Sequence, residues 1–489
     1  MEQLERGMFI DGQWVEASGG RRYAVPNPAT EETVGSAPDA ALEDVQRAIA
    51  AARRAFDTGP WPRSSRQERA RVINAIADGL ERRKEEIRRL VVAEAGAAPL
   101  THDMQIEQPI RMLRHYAELV LGFDFEQPLP ARASASMLGP QLNCSMVYRQ
   151  PVGVCALIPT WNFPVTVTMQ KIGPALAMGC AMVVKPSPWG PLVNLLLADI
   201  IAEVDLPPGV VNFVTGQSTE ISEALVADAR IDKISFTGSV EVGRKIMAAA
   251  SPTLKRVHLE LGGKSVGIYL DADAADTQAV MACAPLMFHA GQGCAMSTRV
   301  LVPAAVHDAF VERMKGFVEG FVKVGDPADA STILGPVIRE ERRARIEEYI
   351  AAGQREGAKL VTGGGRPKHL ARGWFVEPTI FGSVRNDSRI AQEEIFGPVV
   401  SVIPFDDVDD AIRIANDSTY GLAGAIYSRD TAKAIELAKQ IRTGMVWING
   451  GMNLLDAPFG GFKQSGIGRE CGRFGMEEYT EMQQITWRA

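Results

Sequence analysis

The chain has 489 residues, of which 46% are hydrophobic and 23% charged, a composition typical of a soluble globular protein of two or three domains. Its 52 basic and 59 acidic residues give a net charge of −7, so no basic excess favours nucleic-acid binding. The first six residues lack the apolar segment of a secretory signal. The longest apolar stretch, near residues 191–204, is too short to span a bilayer. We therefore predict a cytoplasmic protein that binds neither nucleic acid nor membranes.

The cysteines and histidines give no sign of a metal site. The six cysteines are dispersed without a Cys-x-x-Cys pair, which in a chain without an export signal predicts reduced thiols. The six histidines show neither i,i+4 pairing nor clustering with cysteine. We therefore predict no bound metal.

The first 148 residues contain a hairpin, a long helix and an extended arm. Residues 9–14 predict a short hairpin with Asp-Gly as its turn. A capping box at residues 65–68 and helical spacing of apolar residues predict one amphipathic helix from Ser65 to about Ala95. Residues 124–148 have no helical period and are typical of an extended arm or hairpin.

After residue 148, short apolar runs alternate with helical stretches. The runs lie at 152–158, 181–184, 210–214 and 233–236, and the helical stretches near 166–179, 191–204, 218–228 and 241–250. This alternation predicts a parallel sheet that is covered on both faces. It restarts beyond residue 261, with strands near 266–270 and 299–302, which indicates a second α/β domain. The tail, 479–487, alternates like an edge strand and favours self-association.

Two turns could bind a nucleotide phosphate or ribose. Residues 235–239 (Ser-Phe-Thr-Gly-Ser) end an apolar strand and begin a helix, where Ser239 could cap the helix or donate to a phosphate. Lys185 follows another buried strand, where a ligand of such a sheet would bind. Each feature is also compatible with an ordinary strand-to-helix turn or a strand end reaching water.

A thiol and a carboxylate stand in settings that suggest covalent catalysis. Cys294 follows Gly-Gln-Gly, and Glu260 interrupts an apolar run before two glycines. A thiolate can form an acyl intermediate, and a carboxylate can activate the water that hydrolyses it. Together with the turns described above, this pair makes an enzyme the leading interpretation.

These segments together resemble the aldehyde dehydrogenase superfamily over nearly the whole chain. The matching strings, in order, are Asn-Pro-Ala-Thr at 27–30, Trp-Asn-Phe-Pro at 161–164, Lys-Pro-Ser at 185–187, Phe-Thr-Gly-Ser at 236–239, Glu-Leu-Gly-Gly-Lys at 260–264, Gly-Gln-Gly-Cys at 291–294, Glu-Ile-Phe-Gly-Pro at 394–398 and Pro-Phe-Gly-Gly-Phe-Lys at 458–463. Each string is modestly specific, but their number and order are very specific.

The resemblance implies a fold and a division into domains. The expected fold is α/β, with a Rossmann-like dinucleotide-binding domain (1–123 and 149–260), an α/β catalytic domain (261–460) and a small β oligomerisation arm (124–148 and 470–489). A homodimer or homotetramer is expected.

The resemblance also implies roles for individual residues. Cys294 is expected to be the nucleophile, Glu260 the general base and Asn162 the oxyanion-hole side chain, with Lys185 counted among both catalytic and cofactor-binding residues. The other expected cofactor contacts are Ile158, Trp161, Ser187, Pro188, Gly216, Phe236, Thr237, Gly238, Ser239, Val242, Leu261, Glu394 and Phe396. The expected aldehyde tunnel comprises Phe163, Val167, Gln170, Phe288, Gly293, Ala295, Leu454, Leu455 and Phe459.

The implied reaction is oxidation of an aldehyde to a carboxylic acid by NAD through a thiohemiacetal and a thioester. Pro188 replaces the Glu that in many family members binds the adenosine ribose and repels a 2′-phosphate, so NADP is a possible cofactor. The tunnel residues are apolar and aromatic without an obvious cation, which favours an uncharged aliphatic, aromatic or terpenoid aldehyde. Two alternatives are an enzyme that transfers the acyl group to coenzyme A, against which Glu260 argues, and a non-catalytic structural or binding protein on this scaffold.

Overall fold

The structure is a computed structural model that describes residues 4–137, 139–271 and 275–488. The helices are α1 Leu42–Asp57, α2 Arg66–Arg82, α3 Lys84–Ala95, α4 Gln108–Leu121, α5 Pro164–Met178, α6 Pro191–Ala202, α7 Thr219–Ala227, α8 Val240–Ala250, α9 Ala275–Ala282, α10 Ala284–Met287, α11 His307–Phe321, α12 Glu340–Arg355, α13 Arg389–Gln392, α14 Val408–Asn416, α15 Thr431–Ala438 and α16 Gly472–Glu477. Among the helices of the described residues, none combines the length and apolarity needed to cross a bilayer.

The strands are β1 Leu4–Glu5, β2 Met8–Ile10, β3 Gln13–Val15, β4 Arg22–Pro26, β5 Thr33–Pro38, β6 Glu126–Ser136, β7 Gly139–Pro151, β8 Val154–Ile158, β9 Ala181–Val184, β10 Val211–Phe213, β11 Lys233–Thr237, β12 Arg256–Glu260, β13 Val266–Tyr269, β14 Arg299–Pro303, β15 Lys359–Thr362, β16 Thr379–Gly382, β17 Val399–Phe405, β18 Tyr420–Gly421, β19 Ala423–Tyr427, β20 Met445–Ile448, β21 Phe462–Lys463, β22 Gly466–Ile467 and β23 Thr480–Arg488.

The first large sheet has the order β22-β12-β11-β8-β9-β10-β2-β3. Its five central strands, β12 to β10, are parallel, and antiparallel strands close both edges. Every residue of β8 and β9 is buried because helices cover both faces. The predicted parallel sheet is confirmed.

The second large sheet has the order β15-β16-β17-β14-β13-β19-β20. All neighbouring pairs are parallel except β15 with β16. The predicted restart beyond residue 261 is thus confirmed, since β13 and β14 are its central strands. The domain boundary at 260/261 falls between β12 and β13, and the division into domains stays a prediction.

A third sheet joins the arm and the tail. Strands β6 and β7 form an antiparallel hairpin, and β23 pairs with β7 from Thr480 to Arg488. Both elements match the sequence prediction. Met482 and Trp487 of β23 are exposed. Exposed apolar side chains on an edge strand suit self-association, which stays a prediction.

The N-terminal hairpin is confirmed, whereas the single helix over 65–95 is wrong. Asp11 and Gly12, both with positive φ, form the two-residue turn between β2 and β3. Ser65 caps α2 as predicted, accepting from the N–H of Glu68 at 3.1 Å. The helix is interrupted at Arg83, whose φ of −105° and ψ of 15° are not helical, and α3 begins at Lys84. Arg83 lies between Glu86 and Asp199, at 2.9 and 2.8 Å, which stabilises the break.

Candidate active site

A cavity of about 1150 Å³ lies between the carboxyl ends of β11 and β12 and the loop that carries Cys294. Cys294, Glu260 and Asn162 all line it. It is also lined by all nine residues expected for the aldehyde tunnel, namely Phe163, Val167, Gln170, Phe288, Gly293, Ala295, Leu454, Leu455 and Phe459. Seven of the expected cofactor contacts line it as well, namely Trp161, Thr237, Gly238, Ser239, Leu261, Glu394 and Phe396.

The Cys294 thiol follows a strained turn and is partly accessible from the cavity. His289 and Ala290 have φ values of 50° and 52°, a left-handed conformation that is uncommon for residues other than glycine and is often found at functional sites. Burial raises the pKa of the Cys294 thiol, and the Glu260 and Glu394 carboxylates raise it further. The backbone N–H groups of Cys294 and Ala295 act in the opposite direction. The thiol is therefore protonated near neutrality, and its attack on a carbonyl requires a proton acceptor.

Glu260 is the last residue of β12, and its carboxylate is buried without a hydrogen bond. The residue is 2% exposed, and neither side-chain oxygen has a hydrogen-bond partner among the described residues. Burial raises the pKa of this carboxyl far above its usual range, and Glu470 raises it further, while Lys171 and Arg469 act in the opposite direction. An unsatisfied buried carboxylate on a cavity wall is costly for folding, which favours a functional role.

Asn162 presents a fixed amide next to the nucleophile loop. Its side-chain Nδ2 donates to the backbone carbonyl oxygen of Gln292 at 2.8 Å. Its backbone carbonyl oxygen accepts from the side-chain amide of Gln105 at 2.8 Å. Gln292 in turn accepts from the N–H of Ile338 at 2.9 Å. Because an amide nitrogen carries two hydrogens, Asn162 has one more to offer to an oxygen in the cavity.

Sequence reasoning missed a buried ion pair behind Glu260. Lys171 of α5 donates to Glu470 at 2.8 Å and to Ser235 of β11 at 3.0 Å. Gln170, expected only as a tunnel residue, lines the cavity but also donates to Glu470 at 2.7 Å. The sequence holds one signal for this pair, because Lys171 is the only charged residue of α5.

The turn at the end of β11 leaves polar groups facing the cavity at a helix N-terminus. Ser239 is the N-cap of α8 and accepts from the N–H of Val242 at 3.3 Å, so one of its two predicted roles is confirmed. The Thr237 hydroxyl is buried without a hydrogen-bond partner among the described residues. A Cβ on Gly238 would lie 2.3 Å from the Phe236 ring, so this turn requires glycine. Such a turn can bind a phosphate.

Glu394, Phe396 and Trp161 form another part of the wall. The N–H of Gly263 donates to Glu394 at 3.0 Å, and the Trp161 ring meets the Phe396 ring edge-on at 5.5 Å. Burial raises the pKa of Glu394 to about 7, while the Gly263 N–H, Arg342 and Lys264 act in the opposite direction.

Other expected contacts lie outside this cavity. Lys185 is buried at the end of β9, where its Nζ donates to the carbonyl oxygen of Pro186 at 3.3 Å. Burial lowers the pKa of Lys185 to about 8, and Asp39 acts in the opposite direction. A Cβ on Gly216 would lie 3.4 Å from Asp39, so Lys185 and Gly216 share this neighbour. The described cavity wall includes neither of them, nor Ile158, Ser187, Pro188, Phe236 or Val242.

Comparison with known proteins identifies the class. The profile of the "Aldehyde dehydrogenase family" matches residues 14–485. Geranial dehydrogenase from Castellaniella defragrans is 43% identical over 469 residues, which cover 95% of each chain.

Two solved structures are also similar over nearly the whole chain. Betaine aldehyde dehydrogenase from Staphylococcus aureus, in complex with NAD+, superposes with a TM-score of 0.93 at 36% identity and covers 98% of this chain and 94% of its own. A cysteine-to-alanine mutant of aldehyde dehydrogenase C from Pseudomonas syringae, in complex with NAD+ and octanal, has a TM-score of 0.91 at 39% identity and covers 98% and 96%.

The fold and the site thus define an oxidoreductase that acts on the aldehyde group of its substrate. The chain belongs to the aldehyde dehydrogenase family. The family, the fold and the enzyme class predicted from the sequence are confirmed.

Proposed function

We propose that the protein oxidises an uncharged, apolar aldehyde to its carboxylic acid through a thioester on Cys294. The observation that carries this proposal is the convergence of a thiol, a buried carboxylate and a fixed amide on one cavity, from Cys294, Glu260 and Asn162. A thiol nucleophile, a base and an oxyanion donor are the groups that acyl chemistry requires.

The residues at one end of the cavity fit a nicotinamide dinucleotide. The orphaned hydroxyl of Thr237 and the N-terminus of α8 suit a phosphate, and Glu394 suits a ribose hydroxyl. Lys185 and Ser187 would hold the adenosine half at the ends of the neighbouring strands. When bound, the nicotinamide ring accepts hydride from the substrate carbon. NAD in the two related complexes supports the same cofactor here, and Pro188 in place of a carboxylate leaves room for NADP.

In the first half of the reaction, the chain positions the aldehyde and stabilises negative charge. The Cys294 sulfur attacks the carbonyl carbon as its proton passes to the Glu260 carboxylate on the same cavity wall, and Glu260 releases that proton to cavity water before the second half. The carbonyl becomes an oxyanion that accepts from the Asn162 amide and the Cys294 backbone N–H. Losing one such donor typically costs about 3–4 kcal/mol of transition-state stabilisation. Loss of hydride then leaves a thioester.

In the second half, Glu260 removes a proton from water as the water oxygen attacks the thioester carbon. The carbon–sulfur bond breaks, the acid is released, and the sulfur regains a proton. Glu260 must then release its own proton, and Glu470, which lines the same cavity and pairs with buried Lys171, is the neighbouring carboxylate that could receive it.

The cavity wall supports an apolar substrate. Phe163 and Phe288 stack with ring centroids 6.0 Å apart, and Leu454 stands 71% exposed. Octanal and geranial, named for two relatives, are apolar aldehydes, whereas betaine aldehyde, named for another, is cationic. The nine expected tunnel residues include no carboxylate that would bind such a cation.

Rival readings predict different requirements. An enzyme that transfers the acyl group to coenzyme A would need coenzyme A for turnover, and the proposed role of Glu260 in activating water argues against this alternative. A non-catalytic protein would reduce no cofactor. The decisive assay follows absorbance at 340 nm with an apolar aldehyde, NAD or NADP, and with or without coenzyme A. We expect turnover without coenzyme A, and its absence would refute the hydrolytic reaction. Homo-oligomerisation through β23 and a cytoplasmic location complete the proposal.

A further inference from the structure

A buried imidazole stands behind the proposed base. His258 precedes Glu260 by two residues on β12, and side-chain alternation along a strand places both on one face of the sheet. Its side chain is 2% exposed and is not part of the cavity wall. His258 pairs in register with Ser235 of β11, the residue whose hydroxyl accepts from Lys171.

The imidazole lies between two carboxylates at distances too long for direct hydrogen bonds. His258 Nε2 is 3.9 Å from Oε1 of Glu260 and 3.8 Å from Oε1 of Glu470. Within the described residues, Nε2 and both Glu260 oxygens have no hydrogen-bond partner. Each of these two separations is one that a single water can bridge by hydrogen bonds to both polar atoms.

Burial and the surrounding positive charges keep the imidazole neutral. Burial lowers the pKa of His258 far below its usual range, and Lys171, Lys233 and Arg469 lower it further. A Cβ on Gly468 would lie 2.6 Å from Nδ1, so the ring is held tightly. The charged groups that face the imidazole from the packed elements are Lys171 on α5, Lys233 on β11, Glu260 on β12, and Arg469, Glu470 and Glu478 from the chain that flanks α16.

We propose that His258 is a positioning residue that holds a relay water between Glu260 and Glu470. This inference rests on the proposed role of Glu260 as the base. After thioester hydrolysis, the proton on Glu260 passes to this water as the water gives one of its own protons to Glu470. Glu470 lines the cavity and then releases that proton to cavity water, which restores its ion pair with Lys171. The imidazole contributes one hydrogen bond that orients the water and does not itself change protonation. His258 thereby speeds the return of Glu260 to its ionised form.

The test separates acylation from deacylation without the cofactor. The full-length enzyme is mixed with 4-nitrophenyl acetate in a stopped-flow instrument, in H₂O and in D₂O, over a range of pH. The burst of 4-nitrophenolate reports acylation of Cys294, and the steady rate that follows reports hydrolysis of the acyl-enzyme. The variants are His258→Leu, which removes the ring nitrogens, and His258→Gln, whose amide restores a polar atom near Nε2. His258→Ser is a smaller variant that also lacks the imidazole.

We expect the burst to be unchanged in all variants. In His258→Leu and His258→Ser, the steady rate should fall about tenfold, a small part of the roughly 10²–10⁴-fold that general acid–base catalysis contributes. The solvent isotope effect should increase. His258→Gln should recover most of the rate. Wild-type deacylation in the Leu and Ser variants, or equal loss in all three, would overturn the proposal. A wild-type enzyme that hydrolyses 4-nitrophenyl acetate but carries no acetyl group on Cys294, as read by mass spectrometry of the quenched Glu260→Gln protein, would refute the acyl-enzyme itself.

Discussion

The backbone of Gly263 lies directly against the nucleophile loop, since a Cβ built on Gly263 would be 2.3 Å from the carbonyl oxygen of Cys294. The N–H of the same residue donates to Glu394 at 3.0 Å. The glycine therefore links the position of the thiol to a wall of the proposed cofactor site. No side chain fits there without moving backbone.

Gly263→Ala should displace the Cys294 loop and reduce kcat/KM by about 100-fold, the loss that a displacement near 1 Å can cause. Steady-state kinetics with aldehyde and cofactor measures this. Gly316→Ala in α11 is the matched control, because a Cβ there meets nothing within 4 Å. It should keep full activity and gain about 0.4–1 kcal/mol of stability. Equal activity in the two variants would disprove the proposed link.

Glu260→Gln should separate the two halves of the reaction. The amide keeps the shape of the side chain but cannot accept the proton of the attacking water, so hydrolysis of the thioester slows by about 10²-fold or more. Rapid mixing with aldehyde and oxidised cofactor should show one equivalent of reduced cofactor followed by slow turnover. Full steady-state activity in this variant would remove Glu260 from its assigned role.

Lys264 should make stability depend on pH between about 7 and 10. It is buried, and its Nζ has no hydrogen-bond partner among the described residues. Burial lowers its pKa to about 7, and Arg299 lowers it further. Between pH 7 and the unfolded pKa of about 10.4, the unfolded chain binds more protons here than the folded protein, so this site makes stability rise with pH.

Lys264→Met should therefore unfold at a higher urea concentration than wild type at pH 7, with an upper limit of about 4–5 kcal/mol on the gain. The difference should shrink as pH rises to 10. Lys245→Met is the control, since Lys245 is exposed on α8 and pairs only with Glu241 at 2.8 Å among the described residues. A Lys264→Met protein that is less stable at pH 7 would show that the ammonium stabilises the fold.

Pro188→Glu should shift the cofactor preference towards NAD. A carboxylate at this position would accept from a ribose hydroxyl and repel a 2′-phosphate, and we expect the ratio of kcat/KM for NAD to that for NADP to rise about tenfold, or roughly 1.4 kcal/mol. The control is the same ratio in Ser218→Glu, since Ser218 only caps α7. An unchanged ratio would place the adenosine ribose elsewhere.

The apolar wall predicts the order of substrates. Octanal or geranial should exceed succinic semialdehyde in kcat/KM, because the expected tunnel residues offer no cation to a substrate carboxylate. Betaine aldehyde serves as the cationic comparison in the same assay. A clear preference for either charged aldehyde would contradict the proposed substrate class.

The parts of the fold predicted correctly are those that local sequence encodes. The runs at β8 and β9 are short, continuous and bounded by glycine or proline, which specifies buried strands. The break at Arg83 could not be predicted from the sequence, because the helical spacing of apolar residues continues across it. The break is stabilised by Asp199, which is distant in sequence. Tertiary contacts override local pattern at that point.

The residues of the candidate site likewise fall into those that local sequence indicates and those that only the fold brings together. Cys294 and Glu260 stand out in their own segments, and the resemblance to the family supplied the tunnel residues. The Glu470–Lys171 pair joins positions 299 residues apart, so spacing along the chain could not indicate it. His258 could not be given a role from the sequence for a related reason, because Glu260 is near it on the same strand but Glu470 is brought near it only by the fold.

Mass spectrometry of trapped enzyme tests the central claim most directly. Glu260→Gln protein is mixed with octanal and oxidised cofactor, quenched, digested and sequenced. We predict that the peptide containing Cys294 carries an octanoyl group, whereas Cys471, a second thiol on the cavity wall, is unmodified. An enzyme that turns over octanal yet shows no acyl group on Cys294, or shows it on Cys471, would contradict the assigned nucleophile.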